Sequence, residues 1–234
     1  MKKVISMLLI ITMFFAFACA CNKKDDKPTP DIGKTQDVNE GRLLKEYIDI
    51  NKTGKYMITT EMLLEDGIVI PVTITILGST KKMLTLNMPL KDGTQLPISI
   101  MISGAKKTLL FSSLRTYSEI GEQQLPDLTS FLKGAYIQLN ALSFVDEGTV
   151  DVAGVKYSYE DYTNPSNQQS SRFLFKDGKL VMKGSVSADG IASEYQKFEI
   201  SGNVTEDMFV IPTEYRNDPE EVGEFVSQID NPVS

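Results

Sequence analysis

From Tyr56 onward the chain places an apolar side chain at every second position, the period of a β-strand with one buried face. Tyr56, Ile58, Met62 and Leu64 share one parity, and Ile70, Val72, Ile74 and Ile76 form a second run. Leu84, Leu86 and Met88 make a third, and Ile98, Ile100 and Ile102 a fourth. Thr59, Glu61, Thr73, Thr75, Thr85 and Ser99 fall on the opposite parity, so that face is expected to be largely wet. Before these strands the period differs. Leu43, Leu44, Tyr47 and Ile48 make a stripe suited to a short amphipathic helix over Arg42 to Ile50, ended at Asn51-Lys52-Thr53-Gly54.

Turn chemistry sets the register. A three-residue loop at Glu65-Asp66-Gly67 pairs Met62 with Ile70 and Ile58 with Ile74. The same loop at Lys91-Asp92-Gly93 pairs Leu86 with Ile98. At Asp177-Gly178 a two-residue turn pairs Phe175 with Leu180 and Phe173 with Met182. Leu125 to Leu142 returns to helical spacing through Leu128, Phe131, Leu132, Ala135, Tyr136 and Leu139. Strands resume near Gly148–Val152, Val155–Tyr162, Ser171–Lys176, Lys179–Val186 and Ala192–Ile200. The fold class predicted is mainly β (α+β), a single antiparallel sheet of about ten or eleven strands with two helices. Gly202 to Pro212 closes this domain, placed at residues 38–216, and residues 217–234 read as a flexible acidic tail.

The N-terminus obeys different rules. Lys2 and Lys3 precede an almost unbroken apolar run from Val4 to Ala20, too short for a comfortable bilayer crossing, and polar residues follow at once. Residues 1–20 therefore read as a secretory signal peptide. Ala18, Cys19 and Ala20 lead into Cys21, an order that resembles a bacterial lipoprotein signal. In that family a diacylglyceryl group is attached to the cysteine thiol and the chain is cut just before it. Cys21 is the lipidation site by this reading; Cys19 is the rival, but would put Phe17 among the small residues. Residues 21–37, with Pro28 and Pro30 and few apolar side chains, form a disordered tether. Two acyl chains would hold such a chain to a membrane, where one is marginal.

Composition narrows the function by exclusion. The 234 residues contain no histidine, which removes an imidazole base, a Ser-His-Asp triad and a His-ligated zinc. Two cysteines cannot supply a four-thiolate metal site. A net charge of −7 argues against nucleic-acid binding. The acidic pairs Asp146-Glu147, Glu160-Asp161 and Glu220-Glu221 fit no calcium-loop spacing, and neighbours on a strand point to opposite faces. Lys81-Lys82 and Lys106-Lys107 flank hairpins, where exposed lysines guard sheet edges. No catalytic residue, cofactor or metal site is assigned, and an enzyme is not expected.

The C-terminal half carries a family resemblance. Gly154-Val155-Lys156-Tyr157-Ser158-Tyr159-Glu160-Asp161-Tyr162 is followed by Phe173-Leu174-Phe175-Lys176-Asp177-Gly178-Lys179-Leu180, then by Asp207-Met208-Phe209-Val210-Ile211-Pro212 and Tyr215. With the lipoprotein signal, the tether and the helix–strands–helix–strands order, this succession resembles the LolA-like lipoprotein family across about residues 40 to 216. The resemblance implies a half-barrel sheet with helices packed on its concave face, and a space between them for acyl chains.

Apolar residues on one sheet face would line such a pocket: Ile58, Met62, Ile70, Val72, Ile74, Leu84, Leu86, Met88, Ile98 and Ile100, with Phe131, Phe173, Phe175 and Met182. Methionines 62, 88, 101, 182 and 208 would add an adaptable lining. Two readings stand at this point. One is a lipid-anchored, non-enzymatic envelope protein binding an acyl-chain-like ligand; the other is an envelope or cell-surface interaction protein with a filled core and a protein or glycan partner. Either way the expected partners are a membrane through the N-terminal lipid and no nucleic acid or metal, and a monomer is expected. Cys21→Ser should abolish metabolic palmitate labelling and move the protein to the soluble fraction; labelling that persists would shift the site to Cys19 or remove the claim.

Overall fold

The structure, a computed structural model, describes residues 42–63, 69–89, 94–121, 132 and 139–229. The signal peptide, Cys21, Cys19, the tether, most of the Leu125–Leu142 helix, and the loops at Gly67 and Gly93 lie outside the described residues.

Twelve strands are joined by hydrogen bonds in the order β12-β6-β5-β4-β3-β2-β1-β11-β10-β9-β8-β7. They are β1 Lys55–Leu63, β2 Val69–Leu77, β3 Lys81–Pro89, β4 Gln95–Ser103, β5 Lys106–Phe111, β6 Thr116–Glu119, β7 Ser143–Val152, β8 Val155–Thr163, β9 Ser170–Lys176, β10 Lys179–Val186, β11 Ala192–Ser201 and β12 Arg216–Asn217. Among the described residues two α-helices accompany them, α1 Lys45–Lys52 and α2 Pro219–Ile229. The mainly β, single-sheet expectation holds, with β5, β6 and β12 sharpening the strand count. The chain divides into two compact units.

The larger unit, residues 47–140 and 196–234, contains β1 to β6, the end of β11, β12 and α2. Its hairpins keep the registers that turn chemistry predicts: Met62 faces Ile70, Ile58 faces Ile74, and Leu86 faces Ile98. In α1, Tyr47, Ile48 and Asn51 are the buried stripe. The Asn51 Oδ1 accepts the Leu139 amide at 3.2 Å, and Gly54, at φ +67°, ends the helix.

Two expectations fail in this unit. The second sheet face is not wet: Leu77, Met101 and Leu110 on that face form a cluster with Val204 and Phe209, with Met57, Met83, Tyr117, Ile211 and Tyr215 packed around it. The segment after β11 lies over this face, so Thr75, Ser99 and Thr108 are buried beneath it and Thr85 and Ser99 join hydroxyls at 3.0 Å. Met101 is therefore core on this second face rather than pocket lining, and Met208 is exposed.

Nor does a tail begin at 217. Arg216 and Asn217 pair in parallel with Thr116 and Tyr117 of β6, and the chain then enters α2. Asp218 caps it by accepting the Glu221 amide at 3.1 Å, with Pro219 in the first turn. Val222 and Val226 are 1% and 5% exposed, and the Phe225 ring lies 5.2 Å from that of Phe111, on the apolar face.

The smaller unit, residues 1–46 and 141–195, is described from Arg42 and holds β7 to β10 and the start of β11. Ala153-Gly154 and Asp177-Gly178 are both two-residue turns with positive φ at both positions, the hairpin geometry that matches strand twist. Phe175 faces Leu180 as predicted. Beyond it a bulge between Leu180 and Met182 shifts the register, so Phe173 faces Lys183 and Met182 faces Leu174. The bulge thus puts Met182 on the face opposite Phe173 and Phe175.

If α2 is part of the fold, Val222→Ala should lower the free energy of urea unfolding by about 1–3 kcal/mol, while exposed Glu224→Ala should change it by less than about 0.5 kcal/mol. Equal and negligible effects would return these residues to a tail.

Candidate functional site

Cross-strand register assembles the apolar face of the larger unit in rows. One row runs Ile200–Ile58–Ile74–Leu84–Ile100–Leu109 across six strands without a polar side chain. A second carries Val72–Leu86–Ile98–Phe111. Such rows arise because every hairpin keeps apolar parity in phase with its neighbour. Of the residues expected to line a pocket, Ile58, Ile70, Val72, Ile74, Leu84, Leu86, Met88, Ile98 and Ile100 are buried here, and Met62 is half-buried. Leu84, Ile98 and Ile100 are 0% exposed, so no space as large as a water molecule touches them. Phe173 and Phe175 are buried within the smaller unit, Met182 lies on its other face, and Phe131 is outside the described residues.

Sequence reasoning missed the polar end of this face. The row nearest the β2–β3 turn reads Tyr56–Ile76–Lys82–Ile102–Lys107. Each lysine doublet splits by strand alternation. Lys81 and Lys106 take the opposite parity and form ion pairs with Glu206 and Glu119. Lys82 and Lys107 stand on the apolar face, where Lys107 is only 6% exposed and burial pushes the Lys82 ammonium below its ordinary value. The signal was present in Lys82-x-Leu84-x-Leu86 and Lys107-x-Leu109-x-Phe111, whose parity places both lysines with the apolar set. Beside them an open depression of about 250 Å³ is lined by Ser79, Thr80, Lys82, Ile102 and Gly104.

In the smaller unit the chemistry is polar. Glu160, 2% exposed, accepts the Leu43 and Leu44 amides at 2.7 and 3.0 Å and the Tyr162 hydroxyl at 3.1 Å. Arg42 pairs with Glu147 and lies 3.5 Å over the Phe144 ring. These contacts fasten the N-terminal segment to β7 and β8. The opposite face carries Asp161, which receives Nε and Nη2 of Arg172 at 2.8 and 2.7 Å. That hydrogen bonding raises the Arg172 pKa against the cost of burial. The same guanidinium sits 3.9 Å over the Tyr159 ring. Gly148 and Gly184 leave room for Tyr159 and Tyr195 to lie across the sheet, since a Cβ at these positions would sit 3.0 and 2.7 Å from the rings. Tyrosines of this face thus stabilise neighbouring strands.

Among the described residues no group of three or more His, Cys, Asp or Glu side chains is placed to hold a metal, and no helix is long and apolar enough to cross a membrane.

No family model and no curated protein matches the chain. Among solved structures it is similar to a LolA superfamily protein from Nitrosomonas europaea, at 9% identity over 72% of this chain and 96% of that one, with a TM-score of 0.31. It is also similar to an outer membrane lipoprotein-sorting protein domain from Vibrio parahaemolyticus, at 8% identity over 74% and 97%, TM-score 0.32. A third is the Pseudomonas aeruginosa MucA/MucB complex, at 11% identity over 78% and 64%, TM-score 0.28.

Burial and the adjacent Glu160 carboxylate raise the Tyr162 pKa. The unfolded chain loses this proton near pH 10 while the folded protein keeps it. Stability from this group is therefore complete below about pH 10 and is lost as pH rises toward the folded value. Urea unfolding followed between about pH 8 and 11 should show the wild type losing stability more steeply than Tyr162→Phe; parallel profiles would remove Tyr162 from this role.

Proposed function

We propose that this chain is a lipid-anchored, non-enzymatic binding protein of the bacterial cell envelope, tethered through Cys21, whose apolar sheet face accepts an acyl-chain-like ligand. The observation carrying this reading is the unbroken row from Ile200 to Leu109 across six strands. A row this uniformly apolar is suited to a ligand with no polar contacts along its length. The missing histidine and the LolA-like motif succession support a binding role over catalysis. Because the row is sealed, a ligand enters by displacing what covers it; on the neighbouring row α2 packs Phe225 against Phe111.

The second reading, an interaction protein with a filled core and a protein or glycan partner, is favoured by the same near-zero exposures. Native mass spectrometry of the mature chain extracted from cells separates the two. The ligand reading expects a lipid mass beyond that of the covalent anchor, and its displacement by added oleate. A chain carrying the anchor alone, and taking up neither oleate nor monoolein, would overturn it in favour of the second reading.

A further inference from the structure

The face opposite the aliphatic rows of the larger unit is built from a different side chain. Cross-strand register sets Met57–Thr75–Met83–Met101–Thr108 in one row across β1 to β5. Met101 is buried, while Met57 and Met83 are half-buried against the cluster it forms with Leu77, Leu110, Val204 and Phe209. Residues 42–234 hold seven methionines, and four belong to this row or its cover, the fourth being Met208, 39% exposed. The same residues hold no cysteine, histidine or tryptophan. Thioether sulfur is therefore the side-chain group that a peroxide oxidises most readily here.

The cover is residues 202–215, the segment between β11 and β12. Val204, Met208, Val210 and Tyr215 donate their amides within the segment itself, to the carbonyls of Gly202, Thr205, Asp207 and Pro212. Side chains rather than a strand ladder thus hold it to the sheet. Val204 and Phe209 are buried, and Ile211 and Tyr215 pack around them. The one ion pair in reach, Lys81 with Glu206, is solvated and worth little.

We propose that Met57 and Met83 form a methionine-sulfoxide modification site, through which a peroxide releases residues 202–215 from the sheet. The sulfur lone pair attacks one peroxide oxygen, the O–O bond breaks and an S–O bond forms. Sulfur is oxidised by two electrons, and the other oxygen takes up the proton and leaves as water. The product is a polar group set against Val204, Phe209 and Ile211, none of which has a side-chain donor for the sulfoxide oxygen. Half-burial suits this role: the sulfurs can be reached by a small oxidant, yet they carry packing that a dipole spoils. Methionine sulfoxide reductases return the thioether, so the release is reversible. This site is on the opposite face from the proposed ligand row and stands without it.

The test doses the mature full chain with hydrogen peroxide and follows sulfoxide at each methionine by peptide mass and amide hydrogen exchange of residues 202–215. Met208 should oxidise first, being the most exposed of the four, and leave exchange unchanged. Oxidation at Met57 and Met83 should then speed exchange across residues 202–215 by about tenfold or more, with the β1–β4 ladder unmoved. Met101 should follow only after this opening. A Met57→Leu, Met83→Leu double variant keeps apolar volume and should hold the segment closed at the same dose, whereas Met208→Leu should not protect it. Treatment with reductases for both sulfoxide epimers should restore slow exchange in the wild type. Should the double variant fail to fold, the wild type decides alone, because the rise in exchange must track sulfoxide at Met57 and Met83 and not at Met208. Sulfoxide at both sites with unchanged exchange overturns the proposal. So does opening that persists in the double variant, or a Met57 and Met83 still unoxidised once Met208 has reacted completely.

Discussion

A residue on a β-strand can serve only one of two faces, and this constraint organises the protein. Once hairpin turns lock neighbouring strands in phase, the parity of each side chain is inherited across the sheet. In the larger unit Ile58, Ile74, Leu84 and Ile100, all even-numbered, meet in one aliphatic row, while Met57, Met83 and Met101 are sent to the other side. A single bulge in β10 shows how strict the rule is: one extra residue moves Met182 to the opposite face from Phe173. The ion pairs follow the same logic. Lys81 and Lys106 can reach Glu206 and Glu119 because their neighbours, Lys82 and Lys107, have taken the other face.

Much of this was legible because parity and turns are local. Three hairpin registers, those placing Met62 opposite Ile70, Leu86 opposite Ile98 and Phe175 opposite Leu180, followed from loop length and alternating hydrophobicity. The bulge was not legible, since nothing in Leu180-Val181-Met182 marks which residue leaves the ladder. The second buried face was hidden for another reason. Its threonines and serines look solvent-facing until a distant segment, carrying Val204 and Phe209, covers them. Burial there depends on a chain crossing that short-range patterning does not encode.

The C-terminal helix and the lysine row were legible in principle. Asp218-Pro219-Glu220-Glu221 is a helix-start pattern, and Val222, Phe225 and Val226 follow at helical spacing. The density of acids there outweighed the periodicity. Doublets such as Lys81-Lys82 invite treatment as a unit, whereas a strand separates them. For the candidate site, the aliphatic part was therefore visible from sequence and its charged end was not. The polar anchoring at Glu160 could not be foreseen, because its partners Leu43 and Leu44 lie more than a hundred residues away.

The route taken by the C-terminal segment bears on how the protein comes to be folded at all. The residues after β11 supply Val204 and Phe209 to one face of the sheet, pass beside β6 as β12, and deliver Val222 and Phe225 to the other. Both hydrophobic layers thus draw cover from residues far along the sequence. A ribosome delivers β1 to β6 well before those residues, so the apolar strands wait on the C-terminal segment for part of their packing.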